Sequence, residues 1–234
     1  MDRRHFNLVS IPALAALVTL THRQALALTL GDLTNAEASQ GLKLALEKGA
    51  LAAVGLLGKT DGFLLNDKVR IPLPGFLETA ASLLRTLGQG GRIDELVTSM
   101  NRAAETAVPQ ARDLLVNAVK SMSVDDAKKI LGGGDTSVTG FFAEKTRGPL
   151  GLKFLPIVTL ATEKVGMANQ YNDIAGKAAG MGLMNKDDAN IQRYVTGKSL
   201  DGLYYMIGEE EKKIRQDPIG TGSAILKKVF GVLK

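Results

Sequence analysis

Ile93, Leu96, Val97, Met100, Ala104, Ala107, Ala111, Leu115, Ala118 and Met122 trace one continuous apolar stripe at intervals close to three and four residues. At 3.6 residues per turn this spacing puts them all on one face, so the segment predicts a long amphipathic helix and not a strand. Pro109 lies off the centre of the stripe and predicts a kink within one helix rather than a break between two. A helix of that length must bury its stripe against other elements, and the rest of the chain offers mainly helices.

From Asp32 onward the apolar residues recur at helical spacing, punctuated by Gly and Pro. Asp32 to Leu57 is apolar on two faces and predicts a buried helix, and a second helix runs from about Gly75 to Leu87. Ser123 with Asp126 fits a capping arrangement for a short helix that stops at Gly132-Gly133-Gly134. Further helices are expected near 136–146, 150–165, 167–181, 187–196, 198–215 and 221–231. One segment departs from the pattern. Gly62-Phe63-Leu64-Leu65, then Asn66-Asp67, then Lys68-Val69-Arg70-Ile71 read as a small β-hairpin near residues 62–71, followed by an extended stretch at Pro72 and Pro74. No repeat or linker divides the chain. The expected fold is all-α, a single multi-helix domain over 28–234 with that hairpin as an insert.

Residues 1–27 are set apart as a cleavable signal peptide. Arg3-Arg4 precede a mostly apolar run from Leu8 to Leu20, and Ala25-Leu26-Ala27 forms a small-x-small cleavage site. The run is shorter than the ~20 residues a bilayer span needs, and Pro12 interrupts it. The Arg3-Arg4-x-Phe6 string suits a twin-arginine signal, but Asn7 departs from it, so Sec and twin-arginine export both stay open. No cysteine follows the run, which excludes a lipid anchor. The expected location is periplasmic.

Cleavage after Ala27 lowers the formal charge from +5 to about +3 and removes both histidines, His5 and His22. With no cysteine anywhere, the mature chain lacks every His- and Cys-dependent chemistry: serine–histidine and cysteine–histidine hydrolysis, and zinc or haem held through nitrogen or sulfur. Catalysis would have to run on carboxylates, Lys, Arg, Tyr, Ser or Thr. A metal site would need oxygen ligands; none is assigned, and no cofactor is expected. Lys and Arg are dispersed and aromatics are only 5% of the chain, which speaks against nucleic acid as a partner.

In the 198–215 helix, Leu200, Leu203, Tyr204, Ile207 and Ile214 form a stripe into which Glu211 falls, with Arg215 in i,i+4 reach. A carboxylate facing a core needs a partner, so Glu211 and Arg215 are read as a packing ion pair or, alternatively, as a pocket carboxylate with its counterion. On the long helix, Asp94, Asn101, Glu105 and Arg112 lie along one border of the stripe, with Arg102 pointing away. Asn101 and Glu105 are expected to meet the Glu211–Arg215 pair in space. Asp61, Asn66 and Asp67 read as turn formers, the three glycines at 132–134 as a helix stop, and Thr139 and Thr146 as hydroxyls facing their own helices. Lys227, Lys228 and Lys234 beside Ile225, Val229 and Phe230 make a basic amphipathic end, expected to dock on the core in preference to a membrane surface.

Several strings occur together and in order: Asp61-Gly62-Phe63 with Val69-Arg70-Ile71-Pro72-Leu73-Pro74; Met100-Asn101-Arg102-Ala103-Ala104-Glu105; Asp125-Asp126-Ala127 through Ile130-Leu131-Gly132; and Glu210-Glu211, Ile214-Arg215, Asp217-Pro218, closing on Leu226-Lys227-Lys228-Val229-Phe230-Gly231. Over about residues 30–231 the chain resembles the bacterial envelope family catalogued as domain of unknown function 4197. The resemblance implies an exported, mainly helical single domain and no particular activity. The functional expectation is a non-catalytic periplasmic protein that binds an apolar small molecule or an envelope partner. The alternative is a carboxylate-only enzyme acting on an envelope glycan. Homo-oligomerisation stays open.

Overall fold

A computed structural model of the chain describes residues 35–134, 137–182 and 185–217. The expected signal peptide, the expected 221–231 helix with its basic end, and the side chain of Arg215 lie outside the described residues.

The described residues are helical, without a strand among them. α1 spans Asn35–Leu57, α2 Gly75–Thr86, α3 Gly90–Ala107, α4 Arg112–Lys120, α5 Val124–Leu131, α6 Ser137–Thr162, α7 Gly166–Gly180 and α8 Ile191–Gln216. α8 lies against α1 and α6, and α3 packs on α6 and α8. α4 and α5 close over α1, while α2 and α7 flank α3. The core runs between these helices. Leu42, Leu46, Phe63, Ile93, Leu96, Met100, Phe142, Phe154 and Leu203 are all fully buried.

The long stripe is present, but not as one kinked helix: at Pro109 it divides into the two helices α3 and α4. Pro109 has no N–H for the Glu105 carbonyl, and the chain tightens into a 3-10 turn at Val108–Ala111 between α3 and α4. Val108, Ala111 and Leu115 remain fully buried, so the apolar face passes through the turn unbroken. α5 starts with the expected capping box: Ser123 Oγ accepts the Asp126 N–H at 3.0 Å, and Asp126 Oδ2 accepts the Ser123 N–H at 3.0 Å.

Two pairs of expected helices fuse. Segments 136–146 and 150–165 form the single α6, with Pro149 and Pro156 inside it. An interior proline costs about 3 kcal/mol in an isolated helix. Here both prolines are exposed, as are Lys145 and Leu152, whose carbonyls lose the helical bond. Phe142, Thr146, Leu150, Phe154, Val158 and Thr162 are buried at four-residue intervals along the other side, and that packing outweighs the prolines. Likewise 187–196 and 198–215 become α8, running through Gly197.

The hairpin insert is not formed. Between α1 and α2 the backbone makes local turn bonds: Asn66 N–H to Phe63 O at 3.1 Å, Val69 N–H to Asn66 O at 3.0 Å, and Arg70 N–H to Asn66 O at 2.8 Å. No cross-strand ladder exists there. A two-stranded hairpin is marginal in water by itself, and side chains from α3 take the backbone groups such a ladder would need.

Candidate functional site

Two polar clusters stand out, and both touch α8. The first lies where α3 meets the α1–α2 connection. Asn101 is fully buried; its Oδ1 accepts the Ile71 N–H at 2.8 Å, and its Nδ2 donates to Ile71 O at 3.0 Å and Val97 O at 2.8 Å. One turn on, the buried Glu105 accepts the N–H groups of Phe63 and Leu64 on Oε1, both at 3.0 Å. Its Oε2 accepts from Arg102 at 2.6 Å, and Arg102 reaches on to Asp61 at 2.7 Å. Glu105, followed by Asp61, holds the Arg102 guanidinium above its usual pKa. Asp61 occupies the left-handed region at φ 66°, which a short acidic side chain tolerates better than most.

Every oxygen of the Glu105 carboxylate is engaged, so this cluster is a clamp on the connection. Phe63, fully buried, is thereby pressed against α8 at Gly202, where an added Cβ would lie 2.8 Å from the ring. Arg102, expected only to point away from the stripe, and Asp61, expected only to form a turn, complete the clamp. Arg102 stands three residues before Glu105, a spacing that signals the pair, whereas nothing local signals Asp61 as its second partner.

The second cluster is a cavity of about 460 Å³ between the first half of α6, the second half of α8 and the α5–α6 link. Thr139, Ala143 and Arg147 face it from α6 at four-residue steps; Tyr204, Tyr205, Gly208 and Glu211 face it from α8. Glu211 is 5% exposed, at a level where α1 and α8 approach closely: a Cβ on Gly49 would stand 3.5 Å from the Glu211 nitrogen. Arg147 is ion-paired with Asp201, and its guanidinium lies 5.4 Å from the centre of the Tyr204 ring. Thr146 donates to Phe142 O at 2.6 Å, leaving its oxygen to accept the Tyr204 hydroxyl at 2.9 Å. Burial pushes the Tyr204 hydroxyl pKa up, while Thr146 and Arg147 pull it back. Glu209, also on the wall, bonds Lys68 at 3.2 Å and so ties the clamped connection to the cavity rim.

Of the residues singled out in the sequence, Asn101 and Glu105 therefore belong to the clamp, and Glu211 to the cavity. Neither Asn101 nor Glu105 lines that cavity. Arg112 is exposed at the start of α4, in neither cluster. Thr139 lines the cavity, Thr146 bonds back to its own helix as expected, and Gly133 and Gly134 contribute to the wall after ending α5. Among the described residues no group of three or more His, Cys, Asp or Glu side chains is placed to hold a metal ion.

A family model described as "Protein of unknown function (DUF4197)" matches residues 32–231. The chain belongs to the DUF4197 family. The match spans both clusters, so clamp and cavity are parts of the DUF4197 domain and not of an appended segment. No curated protein and no solved structure matches this DUF4197 chain. No described helix is long and apolar enough to cross a membrane.

Proposed function

We propose that this DUF4197 protein is a non-catalytic binding protein that holds a small, partly apolar molecule in the cavity between α6 and α8. The cavity's size carries the reading: about 460 Å³ falls within the range of small-molecule sites. Ala143, Gly208 and the tyrosine rings supply apolar wall, and Arg147, Asp201 and Glu211 supply polar groups at its edges. Asp201 and Glu209 each pair with a cation, Arg147 and Lys68, an arrangement suited to a polar rim around an apolar wall, and the pairing favours their ionised form over the protonated acid that a glycosidase needs. That favours binding over the carboxylate-only enzyme. The chain is also proposed to be exported, with residues 1–27 as the leader. The support is the Arg3-Arg4, apolar run and Ala25-Leu26-Ala27 order.

The test is titration of the full chain with N-phenyl-1-naphthylamine, an apolar fluorophore, beside native mass spectrometry of the purified protein. Saturable fluorescence enhancement is expected, and Ala143→Trp, which fills the cavity, should abolish it while leaving the helical circular dichroism intact. Enhancement unchanged in Ala143→Trp would place the binding elsewhere and overturn the assignment. For export, the mass of protein recovered from a periplasmic fraction should correspond to a chain starting at Leu28; an uncleaved chain confined to the cytosol would refute the leader.

A further inference from the structure

A shallower groove of about 280 Å³ shares Asp201 and Tyr205 with the α6–α8 cavity. One of its walls is the clamped connection, from Lys68 to Pro72. The other is α8, which brings Lys198, Asp201, Gly202 and Tyr205 to it at helical spacing. Gly202 lets the two walls approach: a Cβ there would stand 3.2 Å from the Val69 Cβ. Asn101 holds Ile71 by both backbone groups, and Tyr194 bonds Pro72 O at 3.2 Å, so the connection is fixed against α8 along the groove.

Three cations line this groove, Lys68, Arg70 and Lys198, against one acid, Asp201. Asp201 is already paired with Arg147, and Lys68 with Glu209. Arg70 and Lys198 are exposed and have no carboxylate partner among the described residues; the Lys198 ammonium lies 5.7 Å from the centre of the Tyr194 ring. Two uncompensated positive charges held in one groove by a fixed scaffold repel each other, and an anion between them reverses that cost. A phosphate monoester carries a charge of about −1.5 to −2 at neutral pH and three acceptor oxygens, which suits two such cations better than the single charge of a carboxylate. Along α8, Lys198 stands ~15 Å from Gly208 in the cavity wall, a distance that a medium-length alkyl chain spans, with Asp201 and Tyr205 between them.

We propose that the molecule held by this protein is an alkyl phosphate monoester, with its tail in the α6–α8 cavity and its head between Arg70 and Lys198. The inference rests on the reading of that cavity as an apolar ligand site and adds the chemical class of the occupant. It also gives the clamp a purpose beyond stability, because Asn101 and Glu105 hold the segment that carries Lys68 and Arg70 beside α8 before any ligand arrives.

Displacement of N-phenyl-1-naphthylamine from the full chain by dodecyl phosphate, dodecanoate and dodecanol separates head-group preference from cavity binding. Dodecyl phosphate should displace the probe at a concentration at least ~10-fold lower than dodecanol does, with an advantage that shrinks as sodium chloride is raised. Dodecanoate should fall between the two. Arg70→Gln with Lys198→Gln, both at exposed positions outside the cavity wall, should erase the difference while the probe's own affinity and the circular dichroism stay unchanged. Equal displacement by phosphate, carboxylate and alcohol, or a phosphate preference that survives the double substitution, would overturn the head-group assignment and leave the cavity reading standing. A probe that does not bind the wild-type chain would remove both.

Discussion

Asn101 holds both the N–H and the carbonyl of Ile71, at 2.8 and 3.0 Å, from thirty residues away in sequence. The pair imitates one rung of a β-ladder with a side chain in place of a strand. That substitution explains why a segment with strand-like alternation stays a series of turns. The extended backbone at Ile71 has its partner, but the partner is α3.

Asn101→Ala should destabilise the fold by about 2–4 kcal/mol, because two buried backbone groups of Ile71 lose their bonds inside an apolar surrounding. Urea denaturation followed by circular dichroism measures this. A loss below about 0.5 kcal/mol would show that water or a rearranged loop replaces the amide.

Glu105→Gln should cost about 1–3 kcal/mol and release the connection locally. The amide can still accept from Phe63 or Leu64, but its NH2 end would face the Arg102 guanidinium, which now meets a carboxylate oxygen at 2.6 Å. Limited proteolysis should cut between Lys59 and Arg70 in the variant faster than in the wild type. Arg102→Met is expected to give the same cleavage pattern with a smaller loss of stability, since Arg102 is partly exposed.

Gly202→Val should be destabilising by about 1–3 kcal/mol through overpacking against Phe63. The Phe63 ring would lie 2.8 Å and the Val69 Cβ 3.2 Å from the new Cβ. Phe63→Leu should relieve part of that cost, so the double variant is expected to be more stable than the sum of the single losses predicts. Strict additivity would mean that the ring and the glycine do not touch in solution.

Stability should fall between about pH 10 and pH 12. Burial, with a smaller contribution from the nearby Asp188 charge, pushes the Tyr171 and Tyr194 hydroxyls from 10.0 up to about 12. A phenol whose pKa is higher folded than unfolded favours the protonated fold. Its contribution is complete below pH 10 and lost as pH rises toward 12. Tyr171 donates its hydroxyl to Asp188 O and Tyr194 donates to Pro72 O at 3.2 Å, so ionisation also removes both donors. Thermal denaturation across this range, with phenolate absorbance as the titration signal, should show Tyr171→Phe flattening the decline.

Much of the helical framework was legible because helix signals are local. The 93–122 stripe and the Ser123–Asp126 box each depend on residues within one or two turns of one another, whereas Pro109 divides the stripe into two helices where a kink in one was expected. The boundaries placed within α6 and α8 failed for the same reason. Pro149, Pro156 and Gly197 are local break signals, and local signals do not report the core contacts of Phe142, Leu150 and Leu203 that carry the helices through them. At the sites, Glu211 was recognisable as a costly carboxylate within an apolar stripe and Glu105 as a polar group at a stripe border, and both are buried. Their surroundings were not legible: Phe63 and Leu64 lie more than forty residues from Glu105, and Arg147 lies more than fifty from Asp201.

By itself, then, the sequence determined a helical chain with one long apolar stripe, one capped helix start at Ser123, and polar residues that had to be satisfied somewhere. Periodicity expresses one-turn geometry, and that is enough for such features. The tertiary structure alone decided that the α1–α2 connection is clamped turns and not a hairpin, that Asn101 and Glu105 serve that clamp, and that Glu211 borders the cavity between α6 and α8. The reason is physical. A buried backbone or carboxylate group needs a partner, yet neither its own position nor its neighbours specify which distant side chain the packing will bring to it.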